Sequence, residues 1–150
     1  MATSIKIVEQ YNETIKHIQR AHDYSLKGHI ADAQKELEKA STCIYQTIEW
    51  SIKIVLGRIY NDPSSNQSEI RIINGNSFHP KVNLFNTSAQ PSPSSKGIDL
   101  EIIKDLKKIV RNNPEHSGYT PHYNSLLEVI NETKKIVSNY IDINATVSFP

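Results

Sequence analysis

Apolar residues recur at alternating spacings of three and four through the first sixty positions. Val8, Tyr11, Ile15, Ile18 and His22 make one stripe between Ser4 and Leu26, which predicts an amphipathic helix. Ser4 reads as its N-cap and Lys27-Gly28 as its stop. A longer helix is predicted from Ile30 to Ile59, with Ile30, Ala33, Leu37, Ala40, Ile44, Ile48, Ile52, Val55 and Ile59 as its main stripe. Its second half carries another stripe, Cys43, Thr47, Trp50, Ile54 and Gly57, offset by most of half a turn. A helix apolar on two faces must cover both. It is therefore expected at the centre of a bundle or at a subunit interface, with Trp50 and Ile54 as the interface candidates.

Between 61 and 97 the periodicity dissolves. Asp62-Pro63-Ser64-Ser65-Asn66 and Gln90-Pro91-Ser92-Pro93-Ser94-Ser95 have turn and linker compositions. Only Ile70–Ile73 and Val82–Phe85 offer short apolar pieces to dock, so the segment reads as a long inserted, partly mobile loop. A third helix is predicted over about 99–112, with Ile102, Ile103, Leu106, Ile109 and Val110 inward and Lys104, Lys107, Lys108 and Arg111 opposite. Thr120-Pro121 reads as the N-cap and first position of a fourth helix running to about Ile141, with Tyr123, Leu126, Leu127, Ile130, Val137 and Ile141 inward. The tail 142–150 looks strand-like and is compatible with a lead into further chain. The expectation is a single all-α domain over 1–150, an antiparallel up-and-down four-helix bundle with a long loop between its second and third helices.

Composition adds limits rather than direction. The 150 residues carry 17 basic and 16 acidic side chains, a formal net charge of +1, so only a local patch can speak for nucleic acid. One cysteine, Cys43, excludes an intrachain disulfide and a cysteine-based zinc site. The histidines show no metal-ligand spacing: His17 and His22 are five apart, and His29, His79 and His122 are scattered. No cofactor loop and no membrane-length apolar run is present, which with the leaderless N-terminus points to a cytoplasmic protein.

One constellation suggests chemistry. The third helix delivers Arg111 at its C-terminal end, Asn112 follows, and His116 comes five positions after the arginine, before Gly118 and the last helix. This Arg-Asn, short spacer, His arrangement between the last two helices of a bundle resembles the signature of the HEPN family, Arg-x4–6-His with a polar residue after the Arg. The resemblance covers the last two helices; the first two match only in length and pattern. Pro114 inside the spacer disfavours helix at Asn113 and makes the segment a turn. The tyrosine that some HEPN proteins carry two residues after the His is replaced by Gly118, with Tyr119 one later.

The resemblance implies a metal-independent endoribonuclease in a toxin–antitoxin or antiviral-defence setting, acting as a homodimer that brings two motifs into one cleft. The residue types suit that chemistry. RNA is cleaved when its 2′-hydroxyl attacks the adjacent phosphate; histidine moves protons near neutral pH, and the planar guanidinium stabilises a phosphorane. Asn112 is the third candidate, orienting either residue or the substrate. Lys104 and Lys108 are candidate RNA-binding residues, although a lysine stripe is as often a solvated helix face. By the same weighing, Arg111 caps a helix C-terminus, His116 is a turn residue and His22 a hydrogen-bonded core residue. The alternatives are a non-catalytic HEPN-like module that dimerises or binds a nucleotide, a regulatory protein or a fused domain, and a plain helical adaptor.

Overall fold

The three-and-four spacing folds as the periodicity predicts. In the computed structural model, which describes residues 3–141, α1 spans Ser4–Leu26 and α2 spans Ile30–Ile59. Tyr11, Ile15 and Ile18 bury their stripe of α1 against α2, joined by Ile7 and Ala21. Thr3, not Ser4, caps α1: its hydroxyl accepts the Lys6 N–H at 3.2 Å, while the Ser4 hydroxyl donates to the Ile141 carbonyl. Gly28 takes φ +78 where α1 stops, a conformation closed to most other residues.

Beyond α2 come α3 (Gln67–Asn74), α4 (Phe78–Ser88), a 3-10 turn (Pro93–Lys96), α5 (Leu100–Arg111), α6 (Pro114–Ser117) and α7 (Tyr119–Ile136), ending in a π-helical turn (Val137–Ile141). The described residues are all-helical, with no strand among them. No helix among them is long and apolar enough to cross a membrane. The strand-like reading of the tail lies outside the described residues.

Hydrogen bonds fix the helix directions. Gln10 donates to Gln46, and His17 meets Glu36, so α1 and α2 are antiparallel. Ser41 with His122 and Arg58 with the Tyr140 carbonyl align α2 with α7. The Asp99 N–H donates to Glu132 and Lys135 to the Gly97 carbonyl, placing the start of α5 beside the end of α7. The four long helices thus alternate in direction along the chain. Helix α2 sits between the others and touches α1, α3, α4, α5, α6 and α7. Its buried Ser41, Thr47 and Ser51 hydroxyls each donate to the carbonyl four residues back, at 2.9, 2.8 and 2.7 Å, so their burial leaves no donor unmatched.

The main correction concerns 61–97. It is not an inserted loop: α3 and α4 fold within it and dock on α2. Phe78, Val82 and Phe85, at helical spacing, are all buried. Phe85 meets Tyr140 edge-on at 5.2 Å, and Phe78 stacks on Tyr45 at 5.1 Å. Pro80 falls in the first turn of α4, where its missing N–H costs no intrahelical bond, and Lys81 is buried 3.7 Å from Glu49. Smaller corrections follow the same logic. Ile30, Ile59 and Val110 are 42%, 41% and 43% exposed rather than inward; the first two lie at the ends of α2 and Val110 is next to last in α5. His22 is exposed and stacks on Tyr123 at 6.1 Å instead of entering the core.

Full burial of a phenylalanine contributes about 1.5–3 kcal/mol, and truncation also leaves a cavity. Phe85→Ala is therefore expected to lower the unfolding free energy by about 3–5 kcal/mol. Urea denaturation checks this; a loss below about 1 kcal/mol, the range of surface substitutions, contradicts the docking of α4.

Candidate functional site

The connection between α5 and α7 is built by capping residues. The Asn112 N–H closes α5 on the Lys108 carbonyl at 2.9 Å. The Asn113 side chain caps α6 by accepting the His116 N–H at 3.2 Å, and Pro114 fills the first helical position. Pro114 is buried against α2, where its carbonyl accepts from Gln34 at 3.4 Å. Gly118, at φ +86, turns the chain into α7, so Gly118 and not Thr120 stands at that helix's N-cap.

These caps leave Arg111 and His116 unencumbered. Both residues are exposed, one closing α5 and the other in α6. Among the described residues neither side chain makes a hydrogen bond or ion pair. Arg111 does not bond the helix-end carbonyls, as a capping role requires.

The lysine stripe divides. Lys104 pairs with Glu101 at 3.4 Å, while its carbonyl faces the His79 ring. Lys107 lies 5.6 Å over the Tyr45 ring. Lys108 is exposed and borders a cavity of about 190 Å³ between α5 and α7, as does Asn112. Neither Lys104 nor Lys107 therefore stands on a uniformly solvated face. Trp50 and Ile54 are half-buried and pack against the core, with part of each side chain still open to solvent.

The residue that sequence reasoning missed is His122. It is 3% exposed, and its ring joins three elements. Nε2 lies 3.2 Å from the Ser41 hydroxyl on α2, and Nδ1 lies 3.3 Å from the Ser117 hydroxyl on α6. The Asn112 backbone carbonyl lies near enough to favour the protonated ring. Ser41 and Ser117 each also donate to a backbone carbonyl, of Leu37 and Asn113 respectively, so both hydroxyl oxygens are turned to the ring and its tautomer sets which nitrogen donates. His122 thus ties the residue after Arg111 and the residue after His116 to the central helix. Its signal was present in the sequence: His122 leads the stripe Leu126, Val129, Ile130 and Thr133 at helical spacing.

Comparison with protein-family models, with curated proteins and with solved structures finds no match to this chain. Its chemistry has to be read from its own residues.

Burial pushes the His122 imidazole below its ordinary value, against the pull of the Asn112 carbonyl. The unfolded chain then takes up a proton more readily than the folded one. The stability this residue contributes is complete above about pH 6.5 and is lost as the pH falls through the folded value. Thermal unfolding of the wild type is expected to weaken from about pH 7.5 to 5 more steeply than that of His122→Gln, which cannot titrate. Parallel slopes for the two proteins contradict a buried neutral His122.

Proposed function

We propose that the chain is a HEPN-type endoribonuclease built on an antiparallel four-helix bundle, with α3 and α4 as an elaboration between its second and third long helices. The observation that carries this reading is the division of labour in the α5–α7 connection. Asn112, Asn113, Pro114, Ser117 and Gly118 make the caps, turns and contacts there, while among the described residues the side chains of Arg111 and His116 make none. An arginine and a histidine held on an anchored turn, with no role in holding it, are suited to act on a ligand.

In the proposed reaction His116 takes the proton of an RNA 2′-hydroxyl. The 2′-oxygen forms a bond to the adjacent phosphorus, the bond from phosphorus to the 5′-oxygen breaks, and the departing oxygen is protonated. Arg111 stabilises the charge that gathers on the non-bridging oxygens. Asn112 orients these groups, and Lys108 and Lys104 attract the backbone, Lys108 more strongly because it has no ion pair among the described residues. The imidazolium so formed on His116 is the acid that returns the proton to the departing oxygen, and in a homodimer the arginine of one copy acts with the histidine of the other. The half-open Trp50 and Ile54 face of α2 offers a two-fold contact. A soluble toxin or defence nuclease in the cytoplasm is the setting this reading suggests.

A second reading keeps the bundle and drops the chemistry: a dimerisation or protein-interaction module, favoured by the same Trp50 and Ile54 face. Activity separates the two. Arg111→Ala and His116→Ala are each expected to lower RNA cleavage by about 10²–10⁴-fold with circular dichroism and melting unchanged. Asn112→Ala is expected to cost less. Products are expected to carry a 5′-hydroxyl and a cyclic or 3′-phosphate, and EDTA to have no effect. Wild-type cleavage that survives His116→Ala, or that requires a divalent ion, contradicts the mechanism.

A further inference from the structure

The cavity between α5 and α7 is bordered by Asn112 and Ser117, the residues that directly follow Arg111 and His116. Each motif residue's Cα is therefore one peptide step, about 3.8 Å, from a residue on the cavity's rim. The cavity thus opens at the base of the connection that carries both, and neither Arg111 nor His116 itself lines it. The walls are apolar and in part flat: Ile109 on one side and the Pro121 ring on the other, with the buried His122 ring among the lining groups. The rim is polar and exposed, with Asn112, Ser117 and Ser125; the Ser117 hydroxyl is engaged with the Asn113 carbonyl and the His122 ring, which leaves Asn112 and Ser125 to meet a ligand.

Volume and charge narrow the occupant. A cavity of about 150 Å³ accommodates benzene, so about 190 Å³ takes a single planar ring with the rest of a ligand outside. An amide offers a donor and an acceptor side by side, the complement of a base edge, and hydroxyls serve as either. Lys108 borders the cavity. The groove that continues along α5 and α7 is lined by Asp105 and Glu128, which repel a phosphate. A phosphate attached to a ring in the cavity is thus directed away from those carboxylates, towards the Arg111 end of α5.

We propose that this cavity seats one base of the RNA, adjacent to the phosphate on which Arg111 and His116 act, and that it determines which nucleotide flanks the cut. The inference rests on the ribonuclease reading for its role, while binding of a base can be tested without cleavage. Ser125 is exposed on α7, so Ser125→Leu fills the cavity from its rim and keeps a good helix former in place.

The test titrates isotope-labelled protein with the four 3′-nucleoside monophosphates and, as a control without a base, with inorganic phosphate. It reads the amides of Asn112, Ser117 and Ser125 and the His122 ring by NMR. At least one nucleotide is expected to shift these signals saturably, phosphate alone is not, and Ser125→Leu is expected to weaken the nucleotide by about tenfold or more. In cleavage assays Ser125→Leu is expected to change which linkages are cut while leaving the product ends unchanged. If the nucleotides shift nothing at the cavity and Ser125→Leu cuts the same linkages at the same rate, the base seat is wrong and the ribonuclease reading stands. Equal shifts by phosphate alone make it an anion site and also overturn the proposal. Nucleotide shifts lost in Ser125→Leu, in a protein that cleaves no RNA, support the seat and count against the ribonuclease reading.

Discussion

Thirty residues of α2 run through the molecule, and the burial of that helix on more than one side organises the rest. Leu37, Ile44, Ile48 and Ile52 are buried in the core with the inward stripe of α1, and Leu56 is buried with them. Small or hydroxylated residues at Ala33, Ala40, Ser41, Thr47 and Ser51 let neighbours approach closely, because each buried hydroxyl is satisfied within its own helix. One side is taken by α1, another by α7, and α4 and α5 cover more. The helices at 67–88 exist because the middle of α2 needs a cover that two more long helices do not complete. Trp50 and Ile54, only half-covered, show where that process stops within one chain.

The same constraint positions the α5–α7 connection. Ser41 is buried on α2 and faces His122, and His122 reaches both ends of the short turn that presents Arg111 and His116. Pro114 and Gln34 add a second attachment to α2. A four-residue helix has little stability of its own; caps and these attachments hold it. The turn is therefore an extension of the central helix, with a buried histidine in the join.

Much of the fold was legible because long helices declare themselves by repetition. The bounds of α1 and α2 follow from stripes of five and nine positions, and α5 and α7 from shorter ones. Helices α3 and α4 were hidden because eight and eleven residues give only two or three repeats of an apolar face. Their flanks also carry proline, serine and asparagine, which score as linker. Caps shifted by a residue or two for a local reason: Thr3 and Ser4 are chemically alike as caps, and Gly118 pre-empts Thr120. At the candidate site, the exposure of Arg111 and His116 follows from their place at the end of one helix and in a turn. The role of His122 does not, since a histidine on an inward stripe looks like any core histidine until Ser41, distant in sequence, is seen beside it.

On the proposed reading, Arg111 and His116 act together in a cleft completed by a second copy of the chain. Mixing purified Arg111→Ala and His116→Ala proteins tests it most directly, with RNA cleavage measured before and after subunit exchange. A shared cleft predicts that two inactive preparations regain cleavage on mixing, because each heterodimer retains one intact arginine and one intact histidine. A mixture that stays as inactive as its components, beside a wild type that cleaves, contradicts a site shared between two copies.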